Sequence, residues 1–138
     1  MKILIDTNIA LDHLLEREPF CREAGKIIGL TKGGVDVYLS ASSITDVYYI
    51  TRKALGDKDS AMAFLKSLLT TVGVASVSDD EIRRAISLEW DDFEDAVQYA
   101  CGESLNVDYV VTRNKDDFTS ARLTVVTPEE LIGIISKD

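Results

Sequence analysis

An α/β fold made of successive strand–helix units is what this sequence predicts, on three observations. Short apolar runs alternate with amphipathic stretches along the whole chain. The runs are rich in Val, Ile, Leu and Tyr, as the buried strands of a parallel sheet are. Helix-start signals stand after the runs, among them Ser78-Asp79-Asp80-Glu81 and Thr127-Pro128-Glu129-Glu130. The 138 residues, 46% of them apolar, suit a single domain over residues 1–138 that buries a core of its own.

The strands are expected at Lys2–Ile5, Val35–Leu39, Val74–Val77, Tyr109–Thr112 and Thr124–Val126. Between the first two, Thr7–Leu15 places Ile9, Leu11, Leu14 and Leu15 near one helical face before Pro19 interrupts it. A second helix runs from Phe20 to Leu30 and stops at Gly33-Gly34. Ser42 or Ser43 caps a third that reaches Leu55 and ends at Gly56. A fourth begins near Lys58, with Ala61, Phe64, Leu65, Leu68 and Leu69 as its apolar positions. Ser78 opens the next. In Asp92-Phe93-Glu94-Asp95, Asp92 reads as an N-cap with Asp95 at the third helical position. Thr127-Pro128 opens the last helix.

Composition narrows the function. No apolar run approaches the roughly 20 residues that span a bilayer, and the first residues lack a signal-peptide pattern, so a cytoplasmic protein without membrane contact is expected. Two cysteines, Cys21 and Cys101, and one histidine, His13, leave no zinc-type ligand set. The net charge of −9 argues against passive nucleic-acid binding, which relies on Lys and Arg neutralising phosphates. It is compatible with a nuclease whose bound cations supply positive charge locally, and with a basic partner.

Four acidic positions carry the chemistry. Asp6 ends the first strand and precedes a helix, where it serves equally as a helix cap or as a metal ligand. Asp46 falls in the Ser42–Leu55 helix beside Ile44, Val47, Tyr48 and Ile50; an acid in a largely buried helix needs a partner. Asp95 shares its segment with Asp91, Asp92 and Glu94, so that several assignments compete. Asp117 follows the Tyr109–Thr112 strand together with Arg113, Asn114 and Lys115. In a parallel sheet such strand-end positions converge at one edge. Clustered carboxylates repel one another unless a cation lies between them. Hard oxygen ligands of this kind suit Mg²⁺ or Mn²⁺.

The chain resembles the PIN domain, the nuclease fold of VapC-type toxins and their relatives, nearly end to end. The resemblance is carried by Leu4-Ile5-Asp6-Thr7-Asn8, by Ser40-Ala41-Ser42-Ser43-Ile44-Thr45-Asp46, by Phe93-Glu94-Asp95-Ala96-Val97-Gln98-Tyr99-Ala100 and by Val111-Thr112-Arg113-Asn114-Lys115-Asp116-Asp117-Phe118. It implies a three-layer α/β/α fold with a central parallel five-stranded sheet in the order 3-2-1-4-5. It also implies hydrolysis of RNA phosphodiester bonds by a water activated on Mg²⁺ or Mn²⁺, leaving a 5′-phosphate and a 3′-hydroxyl. The family's three core acids fall on Asp6, Asp46 and Asp95. Its fourth acidic position falls on Asn114 or on Asp117. Of these Asp117 is counted with the metal ligands, and Asn114 joins Asn8 and Thr112 as a supporting residue.

Arg113, Lys115 and Arg52 (or its neighbour Lys53) are the candidates to steer substrate. The resemblance further implies a toxin that pairs with a basic antitoxin and forms a homodimer. A catalytically weak or inactive module of the same fold, binding RNA or protein, is the second expectation. A haloacid-dehalogenase-type phosphatase would need an aspartate where Asn8 stands. A response-regulator receiver would need a lysine where Thr127-Pro128 stands.

Overall fold

The computed structural model describes residues 1–118 and 122–137. Five strands form one parallel sheet: β1 (Lys2–Ile5), β2 (Asp36–Ser40), β3 (Gly73–Ala75), β4 (Tyr109–Val111) and β5 (Thr124–Val126). Their order is β3-β2-β1-β4-β5, as expected. Seven helices flank the sheet: α1 (Thr7–Leu14), α2 (Cys21–Gly29), α3 (Ala41–Leu55), α4 (Lys58–Leu68), α5 (Asp79–Leu88), α6 (Phe93–Leu105) and α7 (Pro128–Ser136). Among the described residues, no helix is long and apolar enough to cross a membrane.

β1 lies in the middle because Ile3, Leu4 and Ile5 are all fully buried, and only a central strand covers both faces of so apolar a run. Alternation along the strand then sorts the core into two layers. Ile3 and Ile5 pack with Ile9, Leu11, Ile27, Leu39 and Leu131 on one face. Leu4 packs with Val97, Tyr99, Val110 and Phe118 on the other. Helix α6 is the most deeply set element, with every residue from Ala96 to Gly102 buried. A Cβ at Gly102 would stand 3.1 Å from Leu123, so glycine lets the helix lie this close to its neighbours.

The observed bounds differ from the expected ones for local reasons. Strand β2 continues through Ser40, whose extended backbone (ψ 147°) puts it, and not Ser42 or Ser43, at the cap of α3. Its hydroxyl accepts from the Ser43 backbone N–H at 3.3 Å. Strand β3 starts at Gly73, not Val74, because the Tyr38 ring on the adjoining strand occupies the space where a Cβ would be, 2.9 Å away. The α2 region ends in a 3₁₀ turn, Leu30–Gly33, closed by Gly34 at φ +87°. Helix α3 is not largely buried as expected: only Ser43, Val47 and Thr51 are inside, while Tyr49 is 65% exposed.

Candidate active site

The carboxyl end of β1, the N-terminal ends of α1 and α6, and helix α3 meet in one cleft. It is lined by Asp6, Asp46, Asp92, Glu94 and Asp95 together with Thr7 and Asn8. Its volume of about 310 Å³ leaves room for about ten waters at roughly 30 Å³ each. A hydrated divalent ion with a phosphate group therefore fits.

Each acid is positioned by a different device. Asp6 occupies the N-cap place of α1 in extended conformation, yet its side chain makes no capping hydrogen bond. Its backbone N–H is fixed to the Val111 carbonyl at 2.9 Å, and its Oδ2 accepts from the buried Thr112 hydroxyl at 3.0 Å. Asp6 lines the cleft from this position. Asp92 and Asp95 divide the work between them. The Asp92 carboxylate caps α6, accepting the Asp95 backbone N–H at 3.0 Å, and this leaves the Asp95 side chain uncommitted to the cap. Asp46 enters from the second turn of α3 and stands within hydrogen-bonding reach of Glu94.

Crowding these groups changes their proton affinities. Burial, followed by the charges of Asp6, Asp92, Asp117 and Glu94, raises the Asp95 carboxyl to about 7. Glu94 is also raised to about 7, first by desolvation and then by its contact with Asp46, although the residue as a whole is exposed. Burial pushes Asp6 up as well, against hydrogen bonds from Thr112 and Gln98. Mutual repulsion of this kind is relieved either by protons or by a cation. The donors are all carboxylate, amide and hydroxyl oxygens, the set that Mg²⁺ and Mn²⁺ prefer. Among the described residues, no three His, Cys, Asp or Glu side chains stand close enough together to cage a metal ion as placed. Mg²⁺ does not require such a cage, since it keeps several waters and takes one or two carboxylates. The residues present fit such an ion in donor chemistry.

The remaining expected residues lie around the cleft in distinct ways. Asn8 lines it, and its Oδ1 lies 3.5 Å from Arg17 Nη1. Thr112 links two of the expected positions: it donates to Asp6 and accepts the backbone N–H of Asn114 at 3.2 Å. Asn114 and Asp117 line an adjoining depression with Arg113 and Lys115, not the main cleft, and Asp117 reaches the acids through its charge on Asp95. Arg113 grips the fully buried Asp12 with two bonds of 2.8 and 3.2 Å, and its guanidinium stacks on the Phe20 ring at 3.8 Å. Lys115 pairs with Glu130 at 2.9 Å, while Arg52 is exposed on the last turn of α3.

Three participants went unassigned in the sequence. The sequence shows Glu94 only as part of the local negative density and marks neither Gln98 nor Asp12. Helical spacing held a signal for the first two, since Glu94, Asp95 and Gln98 share one face of α6. Thr7 completes this group: its hydroxyl lies 2.8 Å from Ser43 Oγ and 3.3 Å from Glu94 Oε1, and it accepts from Gln98 Nε2 at 3.3 Å.

Several solved structures share this arrangement of strands and helices. The chain is similar to VapBC2 from Rickettsia felis, solved bound to a DNA fragment from their promoter, with TM-score 0.75 and 15% identity over 92% of this chain and 98% of that one. It is similar to a toxin–antitoxin complex from Klebsiella pneumoniae, with TM-score 0.68 and 27% identity over 91% and 97%. It is also similar to VapC20 from Mycobacterium tuberculosis, a sarcin-ricin loop cleaving toxin, with TM-score 0.63 and 18% identity over 78% and 86%. No curated protein matches it significantly. The model of the PIN domain matches residues 2–116, the stretch that holds Asp6, Asp46, Asp95 and Asn114, and the chain belongs to the PIN domain family.

Proposed function

We propose that this protein is a Mg²⁺- or Mn²⁺-dependent endoribonuclease of the cytoplasm, and the toxin of a toxin–antitoxin pair. The observation that carries the reading is the single cleft shared by Asp6, Asp46, Glu94 and Asp95, three separate segments of the chain whose acids meet there. A bound divalent cation supplies charge neutralisation at the scissile phosphate and lowers the pKa of the attacking water. The protein's own part is positional. Asp6, Asp46 and Asp95 would hold the ion, with Glu94 as a further oxygen donor from the same helix. Thr112 fixes the Asp6 carboxyl, Asn8 lines the same cleft, and Asn114 is tied to Thr112 through its backbone N–H. No histidine base is needed, and His13 is exposed outside the cleft.

The similarity to toxin–antitoxin complexes supports an antitoxin partner. A net charge of −9 favours a basic segment of that partner over the acidic cleft, and the active form is read as a homodimer. Incubation of the purified protein with RNA in Mg²⁺ and Mn²⁺, followed by mapping of the ends, tests the activity. The expected products carry a 5′-phosphate and a 3′-hydroxyl. Cleavage that persists in EDTA and leaves 2′,3′-cyclic phosphates would overturn it.

One observation favours a second reading, a module of the same fold that binds RNA or protein without cutting. Among the described residues no three acids are close enough to cage a metal. Calorimetric titration with Mn²⁺ separates the two, because only the enzyme should show saturable uptake.

A further inference from the structure

Arg17 stands beside the acid cleft with most of its donors unspent. It lies on the turn between α1 and α2, where its backbone is tied at both ends. Its N–H donates to the Asp12 carbonyl at 3.0 Å, and its own carbonyl accepts the N–H groups of Phe20 and Cys21 at 3.0 and 2.8 Å. The side chain meets the cleft wall at Asn8, where Nη1 donates to Oδ1 at 3.5 Å. Among the described residues the only carboxylate paired with it is that of Asp12, at 3.8 Å. Its neighbours Glu16 and Glu18 form no such pair, and the Glu18 carboxylate accepts from the Cys21 thiol at 3.4 Å.

Asp12 does not depend on this second arginine. It is fully buried, but Arg113 already holds both of its oxygens, at 2.8 and 3.2 Å. One carboxylate between two guanidinium groups leaves a positive charge over. That surplus falls on the looser contact, on a side chain that is 35% exposed. A guanidinium is planar, permanently charged and weakly hydrated, which suits it to the oxygens of a phosphate. The basic residues expected to meet substrate are less available: Arg113 is spent on Asp12 and Lys115 on Glu130. Asn8 adds a donor, since its Oδ1 is turned to Arg17 while its Nδ2 has no acceptor among the described residues.

We propose that Arg17 and Asn8 form a subsite for a backbone phosphate of the RNA strand, beside the phosphate that is cut among the acids. This rests on the endoribonuclease reading above and adds how the strand is held against an acidic cleft. Contacts of this kind place the strand and carry no base sequence. Arg17 takes no part in breaking the bond.

The test is cleavage of a labelled single-stranded oligoribonucleotide in Mn²⁺ by the wild type, Arg17→Gln and Arg17→Lys, followed over an about tenfold range of salt. At low salt the kcat/KM of Arg17→Gln should fall roughly 10- to 100-fold, the loss of one charge-assisted hydrogen bond. The slope of log kcat/KM against log salt should become shallower by about 0.7, the share of one phosphate contact on a single strand. Arg17→Lys keeps the charge and should restore the slope. Melting curves in EDTA separate a structural role, and Arg17→Gln should melt close to the wild type because Arg113 still holds Asp12. A wild-type kcat/KM and slope in Arg17→Gln overturn the proposal. So does a lowered melting temperature with an unchanged slope, or a variant that fails to fold, since Arg17 would then serve Asp12 and not a phosphate. A slope that stays shallow in Arg17→Lys overturns it as well. A wild type that cuts no RNA sinks the endoribonuclease reading itself, and this inference with it. The wild-type rate alone tells that failure from the specific one.

Discussion

Replacing Asp95 by asparagine should make the metal-free protein more stable at neutral pH. Its carboxyl is raised from 3.8 to about 7 by burial and by four neighbouring carboxylates. An acid whose folded value exceeds its unfolded one keeps its proton longer in the folded chain. Between those values the folded state binds the extra proton, so stability falls as pH rises. The loss begins near pH 4 and is complete just above pH 7. Each tenfold change in proton affinity is worth about 1.4 kcal/mol, which for this shift gives about 4 kcal/mol undiscounted. Asp95 is only half-buried, and solvent screening brings this to about 2 kcal/mol. The N-terminus of α6 favours a charged residue 95 by about 0.5 kcal/mol, too little to reverse the sign. For a chain of this length the net gain at pH 8 corresponds to roughly 5 °C in melting temperature.

The assay is circular dichroism melting of both proteins in EDTA between pH 4 and pH 8.5. The curves should converge near pH 4, draw apart between pH 4 and pH 7, and stay fully separated above pH 7. Saturating Mn²⁺ should then stabilise the wild type more than the variant, because ligand binding to the folded state adds stability in proportion to affinity. A variant that melts no higher than the wild type at pH 8, or a difference of the same size at pH 4, would refute carboxylate repulsion at Asp95.

Three further outcomes are expected. Asp6→Asn should abolish Mn²⁺-dependent RNA cleavage, and its melting temperature without metal at neutral pH should not fall below that of the wild type, since burial already disfavours the charge there; wild-type cleavage rates from this variant would remove Asp6 from the site. Arg113→Ala strands the fully buried Asp12 with only Arg17 at 3.8 Å and should cost about 3–5 kcal/mol in urea unfolding. A loss below about 1 kcal/mol would mean that solvent or Arg17 satisfies Asp12. Tyr99→Phe removes the phenolic oxygen that accepts the backbone N–H groups of Arg122 and Leu123 at 2.9 and 3.2 Å. It should cost about 1–2 kcal/mol and speed amide exchange at Leu123, and an unaltered exchange rate there would count against it.

What could be read in advance was what short-range chemistry decides. The apolar runs located every strand to within two residues, and Thr127-Pro128 and Ser78 opened helices by their capping boxes. The division of labour between Asp92 and Asp95 was also contained in their spacing. Interactions between distant segments were not visible. Asp12 and Arg113 are 101 positions apart, and nothing near either one announces the pair. Arg113 had looked like a residue free to meet a phosphate because its partner could not be seen. Gln98 was overlooked for a related reason: its donors act across 91 positions on Thr7, in the interior, where a sequence shows only one more polar residue on a helix. The exposure of α3 was misjudged because apolar residues do not report which of them find a neighbour.

The central place of β1 has a consequence in time. Its two hydrogen-bonded neighbours come from opposite parts of the chain, β2 directly after it and β4 only at Tyr109–Val111. Asp6 is made long before Val111, the residue whose carbonyl holds its backbone. At ~5–20 residues per second, roughly 5–20 s of synthesis separate the two. Throughout that interval Asp6 lacks the strand that holds its backbone, and Glu94 and Asp95 are added only near its end. A growing chain that has not yet reached Val111 therefore lacks the hydrogen bond that sets Asp6 in place.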